Sequence, residues 1–251
     1  MQPKEHIDVL DPALPITPQV TRHLRERIIR NDLKAGNRIS ETEIARAYEV
    51  SRQPVREAFI KLAEQGLLAV LPQRGTVVTR INWTDVLDAR FLREAIEADF
   101  VTILAARSEP ALIIDLREQI AAQRAVDPQD YQRFNALDET FHRTLAEAAG
   151  KAGAWRLLEG LKAQMDRVRF LALAQFPMNR LIDQHEAVVE GIAGGDHDTA
   201  VRAIRLHLRE ILSDLPAIQA ANPDAFALPE GGIPDPLNVP LPGTPSEGPK
   251  T

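Results

Sequence analysis

Two closely spaced serines, Ser40 and Ser51, each opening an apolar run of helical period, constrain what this chain can fold into more than any other feature. Ser40 begins SETE, a capping-box pattern in which the hydroxyl can accept from the Glu43 amide while the Glu43 carboxylate reaches back. Ile44, Ala45 and Tyr48 then supply a buried face. Ser51 is placed to cap a further helix reaching about Gln65, with Pro54 in the first turn, where a missing amide proton costs little. Upstream, Val20, Leu24, Ile28 and Ile29 recur at helical spacing and predict a helix over 17–31. Downstream, Gly66 ends the third helix, and 67–71 and 76–79 read as two short strands joined through Pro72, Gln73, Arg74 and Gly75. Three helices followed by a hairpin make a winged helix-turn-helix over 16–81, preceded by a mobile Pro-containing arm over 1–15.

The rest of the chain has a different grammar. Long amphipathic runs over 83–108, 111–126, 128–149, 154–174, 179–194 and 198–215 are separated by short connections, which predicts an antiparallel helical bundle over 82–226. The Pro-rich composition of 227–251 predicts a disordered tail. The fold class is therefore mainly α, a small winged domain plus an all-helical one.

Composition excludes several chemistries. There is no cysteine, so disulfides and thiolate metal sites are ruled out and any metal must be held by His, Asp or Glu. No apolar stretch is long enough to span a bilayer, and the start lacks a secretory layout, so a cytoplasmic protein with no membrane partner is expected. A net charge of −6 is unusual for a nucleic-acid binder, but it is unevenly distributed. Residues 1–80 hold 13 Lys+Arg against 10 Asp+Glu, a balance of +3, and the remainder carries −9. The basic excess sits on the winged portion, where phosphate contacts would be made.

The segment VSRQPVREAFIKLAEQGLL, with QRG after it, resembles the DNA-binding domain of the GntR family over roughly residues 16–80. The N-terminal end of a recognition helix enters the major groove, which puts Ser51, Arg52, Gln53 and Arg56 where base edges and phosphates would lie. Arg52 is the candidate for a bidentate contact to guanine, and Gln53 for adenine or phosphate. By resemblance, Arg56 and Arg74 contact the backbone or minor groove, with Gly75 letting the wing approach closely. Two departures stand out: Glu49 occupies a turn position where the family often has Gly, and Thr42 a position that is Arg in some members. A non-Gly residue at Glu49 costs up to about 1 kcal/mol if its φ is positive.

LDETFHRTL, IDQHEAVVEGI and AIRLHLREI resemble the FCD domain of the FadR-like branch of that family, over about residues 83–226. Asp138 and His142, four apart, share one helix face, and His185 and His207 lie on two other helices. The resemblance implies that these four hold a divalent metal ion. An oxygen and nitrogen donor set suits Zn, Ni or Mn. His6, His23 and His197 read as non-ligands.

The resemblance further implies a homodimer on a palindromic double-stranded DNA operator, a repressor released by a small organic-acid or sugar-acid effector. Arg93 is the first candidate to bind an effector carboxylate, the other reading being an i,i+4 salt bridge with Glu97; Arg169 is the second. Two alternatives stand beside this: a metal-independent acyl-CoA sensor, as in one branch of the family, and a metal-dependent hydrolase working through a water on an open metal position.

Overall fold

The computed structural model describes residues 9–71, 75–227, 231–232, 234 and 238–242. Three helices, α1 (Ile16–Ile29), α2 (Glu41–Ala47) and α3 (Arg52–Glu64), pack with a small antiparallel sheet of β1 (Arg38–Ile39), β2 (Leu68–Leu71) and β3 (Gly75–Val78), in the order β1-β3-β2. The register pairs Leu68 with Val78 and Leu71 with Gly75. Val20, Leu24 and Ile28 of α1 meet Val55, Phe59 and Leu62 of α3 in one core. Burying such side chains contributes about 1.5–3 kcal/mol each. β1 is a strand that the sequence pattern does not announce, because two residues carry no readable alternation.

Seven helices follow: α4 (Trp83–Arg107), α5 (Pro110–Arg124), α6 (Tyr131–Ala148), α7 (Ala152–Leu161), α8 (Ala163–Leu173), α9 (Met178–Ala193) and α10 (His197–Ala221). α10 packs against both α9 and α4, which also touch each other, and α5 packs against α9 and α6. No described helix is long and apolar enough to cross a membrane.

Four expectations are corrected. Neither Ser40 nor Ser51 makes a side-chain cap hydrogen bond, although each holds the extended backbone of an N-cap. The single helix expected over 154–174 breaks at Lys162, which is shared between the end of α7 and the start of α8. There the Lys162 ammonium, almost fully buried, reaches Glu139 at 2.8 Å and Asp166 at 2.8 Å and lies over the Trp155 ring. The helix expected to start at 128 begins instead at Tyr131, because Asp130 accepts from the Arg133 amide and caps it there. The helix expected to stop at 215 runs through Pro216 to Ala221. Its buried Leu215 and Ile218 pack with Phe226, and that contact spans the proline.

Glu49 has φ +55°, so the left-handed turn that favours glycine carries a side chain here, at the cost foreseen above. Of the expected arm, residues 1–8 lie outside the described residues. Asp11 and Leu14 are tied to α1 by the buried amide of Gln19. The Pro-rich tail falls largely outside the described residues as well; of its described part, the Val239 carbonyl accepts from Arg209.

The two halves meet along α8. Ala163 is buried in the core of the winged half. The Gln164 amide donates to the Gly66 carbonyl at 2.6 Å, the Arg167 guanidinium donates to the Thr79 carbonyl at 2.9 Å, and Arg25 of α1 pairs with Asp166 at 2.6 Å.

The α9–α10 contact that sets two of the site helices depends on Gly191. A Cβ added there would lie 2.7 Å from both the Cα and the amide nitrogen of Ala200. Gly191→Ala should destabilise by about 1–3 kcal/mol, the range for overpacking. Gly160→Ala, with nothing within 4 Å of the new methyl, should be neutral or slightly stabilising. Thermal unfolding of the two variants checks this; an unchanged Tm for Gly191→Ala would contradict the close approach.

Candidate metal and ligand site

Helical spacing puts Asp138 and His142 one turn apart on the inward face of α6, and α9 and α10 bring His185 and His207 against them. All four side chains are buried, and one donor atom from each lies within 4.8 Å of every other. The His142 Nε2 and His185 Nε2 atoms each lie 3.2 Å from His207 Nε2. The Asp138 Oδ1 atom stands 3.4 Å from His185 Nε2 and 3.9 Å from His142 Nε2.

The opposite ring nitrogens explain why the Nε2 atoms converge. His185 Nδ1 meets the Gln123 Oε1 atom at 2.8 Å, and His207 Nδ1 meets Gln184 Oε1 at 3.1 Å. Each glutamine is oriented by its other end: Gln184 Nε2 donates to the Glu210 carboxylate at 2.6 Å, and Gln123 Nε2 to the Leu137 carbonyl at 3.5 Å. A carboxylate or carbonyl can only accept, so both glutamine oxygens face histidine and both Nδ1 atoms carry the proton. His142 Nδ1 contacts Glu97 Oε2 at 2.6 Å, and the other oxygen of Glu97 accepts from Arg93 Nε.

The Nε2 atoms of His185 and His207 are therefore bare lone pairs facing each other, and two acceptors cannot share a hydrogen bond. A proton is a poor remedy. Burial holds His185 down to about 4 and pushes His142 and His207 well below the usual imidazole range. Burial also opposes ionisation of Asp138, but Arg169, whose guanidinium donates to it at 2.5 Å, holds the carboxylate well below its ordinary range. Three neutral imidazoles and one carboxylate converging on a point, each imidazole fixed by an outer partner, is the donor set a divalent cation requires.

Arg93 is fully buried and donates to Glu97 through Nε, but its two terminal nitrogens have no hydrogen-bond partner among the described residues. The salt-bridge reading of this residue is thus met on one edge of the guanidinium, and the other edge makes no hydrogen bond among the described residues. Arg93, Asp138, Arg169 and His207 all line one cavity, whose remaining wall comes from α6, α8, α9, α10 and the α8–α9 connection at Phe176 and Pro177. Sequence reasoning missed Gln123 and Gln184, since a glutamine in an amphipathic helix reads as surface, and missed the contact of Glu97 with His142.

On the other half, Ser51, Arg52, Gln53 and Arg56 are all exposed on the first turns of α3. Arg52 pairs with Glu41 at 3.2 Å and Gln53 with Glu57 at 3.0 Å. Gly75 has φ +80° at the start of β3, while Arg74 lies outside the described residues.

Residues 16–78 match the family described as bacterial regulatory proteins, gntR family, and residues 88–210 match the FCD domain. The HTH-type transcriptional repressor RspR of Escherichia coli is 36% identical over 220 residues, covering 87% of this chain and 96% of that protein. The gluconate operon transcriptional repressor of Bacillus licheniformis is 23% identical over 77% of this chain and 82% of that protein. Among solved structures, McbR/YncC of E. coli shares the fold with a TM-score of 0.70 at 18% identity, over 83% of this chain and 100% of that one. The chain belongs to the gntR family of bacterial regulatory proteins, with an FCD domain after its winged helix-turn-helix.

Proposed function

We propose that this protein is a homodimeric transcriptional repressor that leaves a palindromic operator when a small carboxylate occupies the cavity of its helical domain. The observation that carries the reading is the free edge of the buried Arg93 guanidinium, beside the converging donors of Asp138, His142, His185 and His207. Asp138, His142, His185 and His207 would hold Zn, Ni or Mn, and the bound ion would offer a docking point for one carboxylate oxygen. The unpaired nitrogens of Arg93 would take the other oxygen, and Arg169 would add charge at the same end. The names of the relatives support repression.

The four converging metal donors count against the acyl-CoA reading, which calls for no metal. Hydrolysis has no support either, since the matched families are regulators.

α8 supplies the route from the cavity to the DNA. Arg169 on this helix grips Asp138, while Gln164, Asp166 and Arg167, within its first two turns, grip the winged half. A ligand that competes for Arg169 would change the seating of α8 and with it the position of α3. In the dimer, the Ser51, Arg52, Gln53 and Arg56 edge of each α3 would enter one half-site, with Arg74 and Gly75 at the wing.

Two measurements test this. Arg52→Ala should weaken operator binding by about 1–3 kcal/mol, roughly 5- to 150-fold, at equal salt, with helical content unchanged. Operator affinity equal to wild type would remove the recognition role. Arg25→Gln, which deletes the ion pair to Asp166 while leaving Lys162 on that carboxylate, should preserve operator binding and effector binding measured separately. It should shrink the effector-induced loss of operator affinity. An unchanged loss would mean that the signal does not pass through this contact.

A further inference from the structure

The cavity has two kinds of wall. At its inner end stand Arg93, Arg169, Asp138 and His207. Around its middle stand Phe134, Met165, Leu173, Leu181, Leu208 and Ile211, five of them buried and Leu181 partly so. At its mouth stand Arg180, Glu210 and Asp214, and these charges are spent on one another. Arg180 pairs with Glu210 at 3.0 Å and with Asp214 at 2.5 Å, and its guanidinium lies over the Phe176 ring at 5.6 Å. Glu210 also accepts from Gln184. Among the described residues, Asn135 is the only polar side chain lining the cavity between its two ends.

A ligand rich in hydroxyls would leave its water partners and meet hydrocarbon along most of its length. Each buried hydroxyl without a partner costs roughly 1–3 kcal/mol in proteins. A ligand with one anionic head and an apolar body would pair its head at the inner end and gain by burying its body. Resting on the carboxylate reading above, we infer that the effector is a short monocarboxylate with an apolar body, and that sugar acids are excluded. The head group is read by Arg93 and the cation site, and the body is selected by a wall on which, among the described residues, Asn135 is the only donor or acceptor side chain between the two ends.

Calorimetric titration of the metal-loaded protein separates the possibilities. Straight-chain acids from acetate to hexanoate should bind about fourfold more tightly per added methylene until the cavity fills, following the transfer free energy of a buried methylene. Butyrate should bind at least about tenfold more tightly than 3,4-dihydroxybutyrate, which has the same carbon count and charge and no hydroxyl beside the carboxylate. Equal or tighter binding of the dihydroxy acid would overturn the inference while leaving the carboxylate reading in place. Heats from neither acid, with metal uptake verified, would overturn both. Arg93→Lys should weaken the whole series by a similar factor without changing the gain per methylene, which assigns head and body to separate contacts. A changed increment would contradict that division.

Discussion

Two imidazoles that point their lone pairs at each other across 3.2 Å define the helical half of this protein. The arrangement is unfavourable by itself, since neither Nε2 has a proton to give and burial resists adding one. It persists because each ring is held from behind. Gln184 is locked by Glu210 and Gln123 by the Leu137 carbonyl, so neither ring can reverse its tautomer without stranding a buried amide. Helices α5, α6, α9 and α10 must therefore meet in one register, and the close α9–α10 contact at Gly191 keeps two of the donors in place. The outer hydrogen bonds do the positioning, and a bound cation would resolve the inner conflict.

The same economy governs the junction between the halves. α8 is short because Lys162 turns its ammonium into a cage of Glu139, Asp166 and the Trp155 ring, and the break frees the next residues to face the winged domain. Glu139 neighbours the candidate ligand Asp138, and Asp166 holds both Lys162 and Arg25. One helix thus touches the ligand cavity through Arg169 and Leu173 and the DNA-binding half through Ala163, Gln164 and Arg167. Two such sets of contacts on one rigid element are what a shift of population between two seatings requires.

Much of this was legible in the sequence, for identifiable reasons. Asp138 and His142 are four apart on a strongly amphipathic helix, and the period that names the helix also puts them on its inner face. The serine-opened runs and Gly66 placed α2, α3 and the hairpin, although both capping hydrogen bonds failed to form. The break at Lys162 was not legible, since apolar residues keep their helical spacing through it and the cause is a buried charge cluster from three elements. Gln123 and Gln184 were hidden for a related reason: periodicity reports which face is apolar, and a glutamine buried on a histidine violates that rule. How the halves dock was equally silent, because Gln164 and Arg167 bond to backbone carbonyls, which carry no sequence signature.

The three Nε2 atoms and the Asp138 carboxylate are placed to bind one cation together. An anomalous difference map from crystals of the protein equilibrated with zinc, recorded across the zinc edge, tests it most directly. One strong peak per chain, bonded to those four side chains at roughly 2.0–2.2 Å, is the expected result. Zinc held elsewhere, or histidine rings turned to bind through Nδ1 with Gln123 and Gln184 displaced, would contradict it.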